Sequence, residues 1–237
     1  MDREQRSLLL ADGSASHLFF MGTMLRRLEY TVQTVTTAED ALRAMNAALP
    51  SLLVTNTVLP SMNGINLLKH MKQDARLKNV PVIIHTSEND PAVRTACLAA
   101  GCADFFTKPT DFDVLYRAIQ SATESAPRKN IRIDTLLDVE IKDKAGAGRT
   151  EQVTTLSEGG LYIRSKTPEP VHTVLSLTIF FIDRKIRAQA SVQYSSTVIG
   201  GQHKEPGMGL TFTSIDDGDR RYVREFIKEQ VAKGFSL

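Results

Sequence analysis

The sequence predicts an α/β domain followed by a mainly β domain, on three observations. Up to about Ser125, short apolar runs alternate with stretches of helical spacing. A polar, Pro-containing stretch, "SAPRKN" (125–130), then interrupts the pattern. Beyond it, apolar residues recur with period two between turn-forming clusters. The 237 residues suffice for two ordinary domains, expected at 1–124 and 131–237 around a 125–130 linker.

In the first domain, strands are expected at "SLLLAD" (7–12), "YTVQTV" (30–35), "SLLVTN" (51–56), "VPVIIH" (80–85) and "ADFFTK" (103–108). Between them, Leu18, Met21, Leu25 and Leu28, and then Ala38, Ala41, Leu42 and Met45, recur at the spacing of a helix face. Thr37, with Asp40 three residues on, is a helix start signal. Leu115, Ile119 and Ala122 mark a fifth helix led by Asp111 and Asp113. Five strands, each followed by a helix, make a parallel sheet covered on both faces. Right-handed crossovers then leave the flavodoxin-like order 2-1-3-4-5, a (βα)5 fold, as the expected topology.

After the linker the strands are expected at "RIDTLLDVEIKD", "GLYIRS", "VLSLTIFFI", "IRAQASVQYSS" and "GMGLTFTSI", with turns at "KAGAG", "SEGG", "IDRK" and "GGQHKEPG". Regular strands of this kind make an antiparallel sheet or barrel. One helix closes the chain. Ser214 is its expected N-cap, Asp216 and Asp217 fall in its first turn, and Val223, Phe226, Ile227 and Val231 form its apolar stripe.

Composition excludes more than it assigns. With 42% hydrophobic and 24% charged residues and a net charge of +2, the chain has the make-up of a globular protein. Residues 1–127 carry 12 basic and 13 acidic side chains, and 128–237 carry 17 and 14, so an anionic ligand is expected on the second half. Neither a helix-turn-helix pattern nor a strongly basic helix occurs, which argues against DNA as a partner. Cys97 and Cys102 read as reduced thiols, at a spacing that matches no common metal motif. His17, His70, His85, His172 and His203 fall on different elements, and no metal role is expected of them. The apolar run Leu8–Ala11 is too short for a signal peptide or a membrane span, so a cytoplasmic chain without membrane insertion is expected.

In a parallel α/β sheet the C-terminal strand ends converge on one rim. Here they supply Asp12, Asn56, Thr86 and Lys108: one acid, one amide, one hydroxyl and one ammonium. Over about residues 5–124 the chain resembles the receiver domain of bacterial response regulators. The resemblance rests on "LLLADGS", on "LLVTNTVLPSMNG" with its Pro and Gly, on "PVIIHTS" and on "AGCADFFTKP". It implies phosphoryl transfer onto an aspartate, which needs a carboxylate nucleophile, a divalent metal held by two further acids, and a Lys and a hydroxyl gripping the phosphoryl oxygens. Asn56 stands at the acceptor position, and Gly13 stands where a second metal-holding acid would be. Thr86, Lys108 and Pro109 persist, and Phe105 falls on the family's aromatic switch position. Asp12 and Lys108 are expected to form an ordinary ion pair. The resemblance thus implies a phosphorylation-incompetent domain without metal, used for docking or homodimerisation through the helix 4–strand 5–helix 5 face.

The linker carries "RKNIR", with Arg128 and Arg132 four residues apart around Lys129, and a later turn reads "TTLSEGGLYI". Arginine presents a planar fork to phosphate oxygens and to guanine, and stacks on bases. A Ser hydroxyl and glycine-turn amides can donate to phosphate at close range. Over about residues 126–235 the chain resembles a PilZ domain, the bacterial receptor module for cyclic di-GMP. That family pairs an Arg-rich motif with an Asp/Asn-x-Ser-x-x-Gly turn. The matching positions are Arg128, Lys129 and Arg132, then Thr155, Ser157, Gly159 and Gly160; "GMGLTF" and the last helix also correspond. Thr155 departs from the pattern. One hydroxyl there replaces a carboxylate or amide facing guanine, which costs on the order of 1 kcal/mol, a several-fold to tenfold weakening.

The expected function is that of a non-catalytic signalling adaptor with no cofactor, whose ligand is cyclic di-GMP and whose first domain meets a protein partner. Because the linker carries ligand arginines, binding is expected to order it. Two rival readings stand beside this one: an interaction protein with both sites degenerate, and a conventional phosphorylated response regulator.

Overall fold

The computed structural model of the chain describes residues 6–124, 130–142, 148–197 and 205–232. The chain divides between Lys129 and Asn130 into two compact units.

The first unit alternates strand and helix: β1 (Ser7–Ala11), α1 (Ala15–Arg27), β2 (Thr31–Val35), α2 (Ala38–Ala47), β3 (Leu52–Thr55), α3 (Gly64–Gln73), β4 (Val82–Thr86), α4 (Pro91–Ala99), β5 (Asp104–Thr107) and α5 (Phe112–Thr123). All neighbours pair in parallel, in the order β2-β1-β3-β4-β5, as the alternation predicts. Every residue of β3 and β4 is buried, which explains why these runs carry no polar alternation. The helices start where local chemistry stops a strand. The Thr37 hydroxyl accepts from Asp40 N at 3.1 Å to open α2. Asn63, Asp90 and Asp111 cap α3, α4 and α5 in the same way. At the opposite end from the rim, the Glu124 carboxylate is buried against Arg6 and accepts from Tyr30 Oη at 3.4 Å. This ties the end of α5 to the entry of β1.

The second unit is a closed antiparallel barrel: β6 (Arg132–Lys142), β7 (Gly148–Ser157), β8 (Gly160–Arg164), β9 (Val174–Phe180), β10 (Lys185–Ser196) and β11 (Gly207–Ile215), in the order β10-β11-β8-β7-β6-β9, followed by α6 (Asp217–Ala232). Val139, Ile141, Val153, Leu156, Ile163, Leu177, Ile179, Val192 and Leu210 fill its interior. Helix α6 packs on β6 and β7 and buries Val223, Ile227 and Val231. Phe226 meets Phe181 edge to face, with ring centroids 4.9 Å apart.

Two expectations are corrected here. Strand β7 is absent from the runs picked out by period two, because Glu151 and Arg149 stand opposite the buried Val139 and Ile141, where alternation needs apolar residues. A register shift between Val153 and Thr155 also breaks the alternation. Ser214 is not a helix cap. It still pairs with Gln189 in the β10–β11 ladder, so the strand runs on to Ile215. The cap is Asp216, whose Oδ1 accepts from Gly218 N at 2.8 Å and Asp219 N at 3.2 Å. Among the described residues, no helix is long and apolar enough to cross a membrane.

Candidate functional sites

The rim of the parallel sheet gathers the expected residues into a pocket that closes on itself. Asp12 lies just past β1, nearly buried. Its carboxylate accepts from Ser14 N at 2.8 Å and pairs with the Lys108 ammonium. Lys108 is held in turn by its backbone N donating to Thr86 O at 2.7 Å, next to a cis Lys108–Pro109 peptide. Asn56 follows β3, and its Oδ1 accepts from Val58 N at 3.2 Å, so the amide serves its own turn. Gly64, beyond that loop, is a required glycine, since a Cβ there would collide with the Asn56 carbonyl. The buried Thr86 hydroxyl bonds the Thr57 hydroxyl and accepts from Glu88 N at 3.1 Å. Gly13 is exposed and open; the nearest atom to a Cβ there is Pro60 Cδ at 3.7 Å. Phe105 is buried, with the Arg94 guanidinium 5.4 Å from its ring centroid.

Beneath Asp12 the sequence reading missed a pair of histidines. His17 and His85, from α1 and β4, stand with ring centroids 5.2 Å apart, and His17 Nε2 lies 4.0 Å from Asp12 Oδ2. Both line a cavity of about 10 Å³ with Asp12 and Asn56, close to the smallest volume that admits a water. Burial, reinforced by Lys108 and His17, pushes the His85 pKa down to about 4, against a smaller opposing pull from Asp12. Burial and Lys108 also lower the His17 pKa, again against Asp12. Both imidazoles are therefore neutral at neutral pH. A hard divalent cation would find here one carboxylate, already paired with an ammonium, and that donor set does not fit it. Among the described residues, no group of three His, Cys, Asp or Glu is placed to hold a metal ion.

The barrel carries the second set of residues on the outer face of β6, β7 and β8. Two rows run across three strands. Arg132 stands opposite Ser157, and Ser157 opposite Gly160; Asp134 stands opposite Thr155, and Thr155 opposite Tyr162. Leu156, between them on β7, points inward and is fully buried. The Ser157 hydroxyl donates to Gly160 O at 2.9 Å and closes the β7–β8 turn. Gly160 is a required glycine, because a Cβ there would run into the Leu210 carbonyl of β11. Gly159 leaves room for Asn130, whose Nδ2 lies close by. Arg128 and Lys129 fall outside the described residues.

Helix α6 supplies residues that the sequence did not suggest. Arg224 Nε donates to Glu158 Oε2 at 3.0 Å with a second nitrogen on Oε1, and Arg220 reaches Glu158 O at 3.4 Å. The turn is thus clamped by partners more than sixty positions away, which no local motif signals. Tyr162 and Tyr194 stack at 6.1 Å beside this face, and Tyr162 Oη donates to Glu205 O at 2.7 Å.

Comparison with known proteins agrees with both halves. The family model of the response regulator receiver domain matches residues 8–120, and that of the PilZ domain matches residues 126–229. The two-component response regulator ORR3 of rice (Oryza sativa) is 34% identical over 103 residues, which span 43% of this chain and 79% of that protein. The chain is a response regulator. Its receiver domain is followed by a PilZ domain. The receiver domain also resembles the two-component response regulator ARR16 of Arabidopsis thaliana, at 38% identity over 101 residues, covering 35% of this chain and 62% of that one. Among solved structures, the receiver domain of a signal transduction histidine kinase from Syntrophus aciditrophicus matches at 25% identity and a TM-score of 0.47. That match covers 52% of this chain and 98% of the other.

Proposed function

We propose that this response regulator is a non-catalytic signalling adaptor whose PilZ domain binds cyclic di-GMP. Its receiver domain does not accept a phosphoryl group and serves as a surface for a protein partner or a second copy. The domains are taken as 1–124 and 131–237, around a linker at 125–130 that carries Arg128 and Lys129. The observation that carries the ligand reading is the outward row Arg132–Ser157–Gly160, beside a glycine turn and four positions after Arg128. Arg132 offers a fork for phosphate oxygens and a plane for base stacking.

The reading of the receiver domain rests on chemistry at one pocket. An amide at Asn56 is no nucleophile for phosphorus, and Asp12 with Lys108 leaves little charge to hold Mg²⁺. Two treatments test the proposal together. Acetyl phosphate with Mg²⁺ should leave the intact mass unchanged, and calorimetric titration with cyclic di-GMP should give a saturable isotherm. A phosphoryl mass increment on the receiver domain, or no heat with the nucleotide, would overturn the corresponding half.

A further inference from the structure

The PilZ turn of this chain lacks an acid or amide at Thr155, yet the strand next to it offers one. Asp134 of β6 is directly opposite Thr155 of β7 in the antiparallel register. Opposite residues on one face hold their Cβ atoms about 4.5–5.5 Å apart, so the Asp134 carboxylate reaches the space above Thr155. Asp134 is exposed, and among the described residues its side chain has no hydrogen-bond or ion-pair partner. Its neighbours are committed elsewhere: Glu158 to Arg224, Ser157 to Gly160 O and Tyr162 to Glu205 O.

The backbone supports the same reading. The β6–β7 ladder shifts register between Asp134 and Leu137, immediately after the row that holds Asp134 and Thr155. Irregularities of this kind re-aim side chains and recur beside binding sites. Leu136, at the shift, is 73% exposed, an apolar neighbour for a base next to the carboxylate.

We propose that Asp134 is the guanine-reading residue of this PilZ domain, its carboxylate accepting from the N1–H and N2–H₂ of one guanine in place of the missing acid at position 155. The proposal rests on the cyclic di-GMP reading above and adds a source of base specificity to it. Adenine presents no N1–H and no exocyclic amine at C2, so a carboxylate there discriminates against it. Arg132, two residues earlier on the same face, remains free for phosphate or stacking.

The test titrates the full chain with cyclic di-GMP and cyclic di-AMP, comparing the unaltered protein with Asp134→Ala, Asp134→Asn and Asp134→Ala combined with Thr155→Asp. Circular dichroism establishes that each variant is folded, which an exposed strand position should permit. Asp134→Ala should weaken cyclic di-GMP binding about tenfold or more, as loss of a charge-assisted bond does. The preference for guanine over adenine should shrink by a similar factor. Asp134→Asn, which keeps one acceptor oxygen, should fall between, and Thr155→Asp should restore most of the loss. Unchanged affinity and preference in Asp134→Ala would overturn the assignment, as would equal losses for both nucleotides. If the unaltered chain itself gave no heat with cyclic di-GMP, the function reading would fail first and take this proposal with it.

Discussion

The two candidate sites of this chain differ in what their side chains are doing. In the receiver pocket the polar groups are spent on one another: Asp12 on Lys108, Thr86 on Thr57, and Asn56 on its own turn. On the PilZ face, Arg132 and Asp134 point outward with no side-chain partner among the described residues, next to a turn that Arg224 of α6 holds through Glu158. A pocket that satisfies itself holds a shape. On the proposed reading, the face with unspent charge is where the ligand binds. On the same reading, the fold elements that place a reactive rim in other receiver domains serve here as structure, and the input enters at the barrel.

Glycine substitutions make the sharpest break between the two regions. Gly160→Ala forces a Cβ against the Leu210 carbonyl of a neighbouring strand and should cost about 3 kcal/mol or more in urea unfolding. Gly13→Ala, with its nearest neighbour at 3.7 Å, should stay within about 0.5 kcal/mol of the parent protein.

Acid sensitivity should belong to the receiver domain. His85 has a folded pKa of about 4, below its unfolded value of about 6.5, so the unfolded state binds the proton more readily. Stability is therefore full above pH 6.5 and falls as the pH drops from about 6.5 towards 4. The loss is on the order of 3 kcal/mol at about 1.4 kcal/mol per unit. A His85→Gln variant should lose much of that pH slope in receiver unfolding monitored by hydrogen exchange, while the slope for the barrel stays unchanged.

Binding should respond in the opposite place. Arg132→Ala, and equally Arg128→Ala, should weaken cyclic di-GMP binding about tenfold to a hundredfold by calorimetry, from the loss of charged hydrogen bonds and stacking. Lys108→Ala should leave the isotherm where it was. Arg224→Ala should have the smallest effect. Its pair with Glu158 is partly exposed and worth about 0–1 kcal/mol, so a few-fold loss of affinity through a looser turn is the expected result.

Much of the architecture was legible in the sequence, because buried parallel strands such as Leu52–Thr55 read as unbroken apolar runs. The change of period after Ser125 also announced the second fold class. Strand β7 was hidden because Glu151 and Arg149 stand opposite the buried Val139 and Ile141, and a register shift puts Val153 and Leu156 out of phase. The end of β11 was misjudged because Ser214 and Asp216 are both plausible caps, and only strand pairing to Gln189 decides between them. Candidate site positions could be named from the sequence wherever they follow chain order, as with Asn56, Gly13 and the Arg-x-x-x-Arg spacing. They were illegible where they depended on register or on distant packing. Asp134 opposite Thr155, the His17–His85 contact and the Arg224 clamp on Glu158 all join residues that no local pattern connects.

The most direct test is a calorimetric titration of the full chain with cyclic di-GMP, run with and without prior exposure to beryllofluoride and Mg²⁺. The predicted result is saturable binding with superimposable isotherms, because the ligand enters at the barrel and the receiver pocket ignores the phosphoryl mimic. Absence of nucleotide binding, or an isotherm that shifts after beryllofluoride, would contradict it.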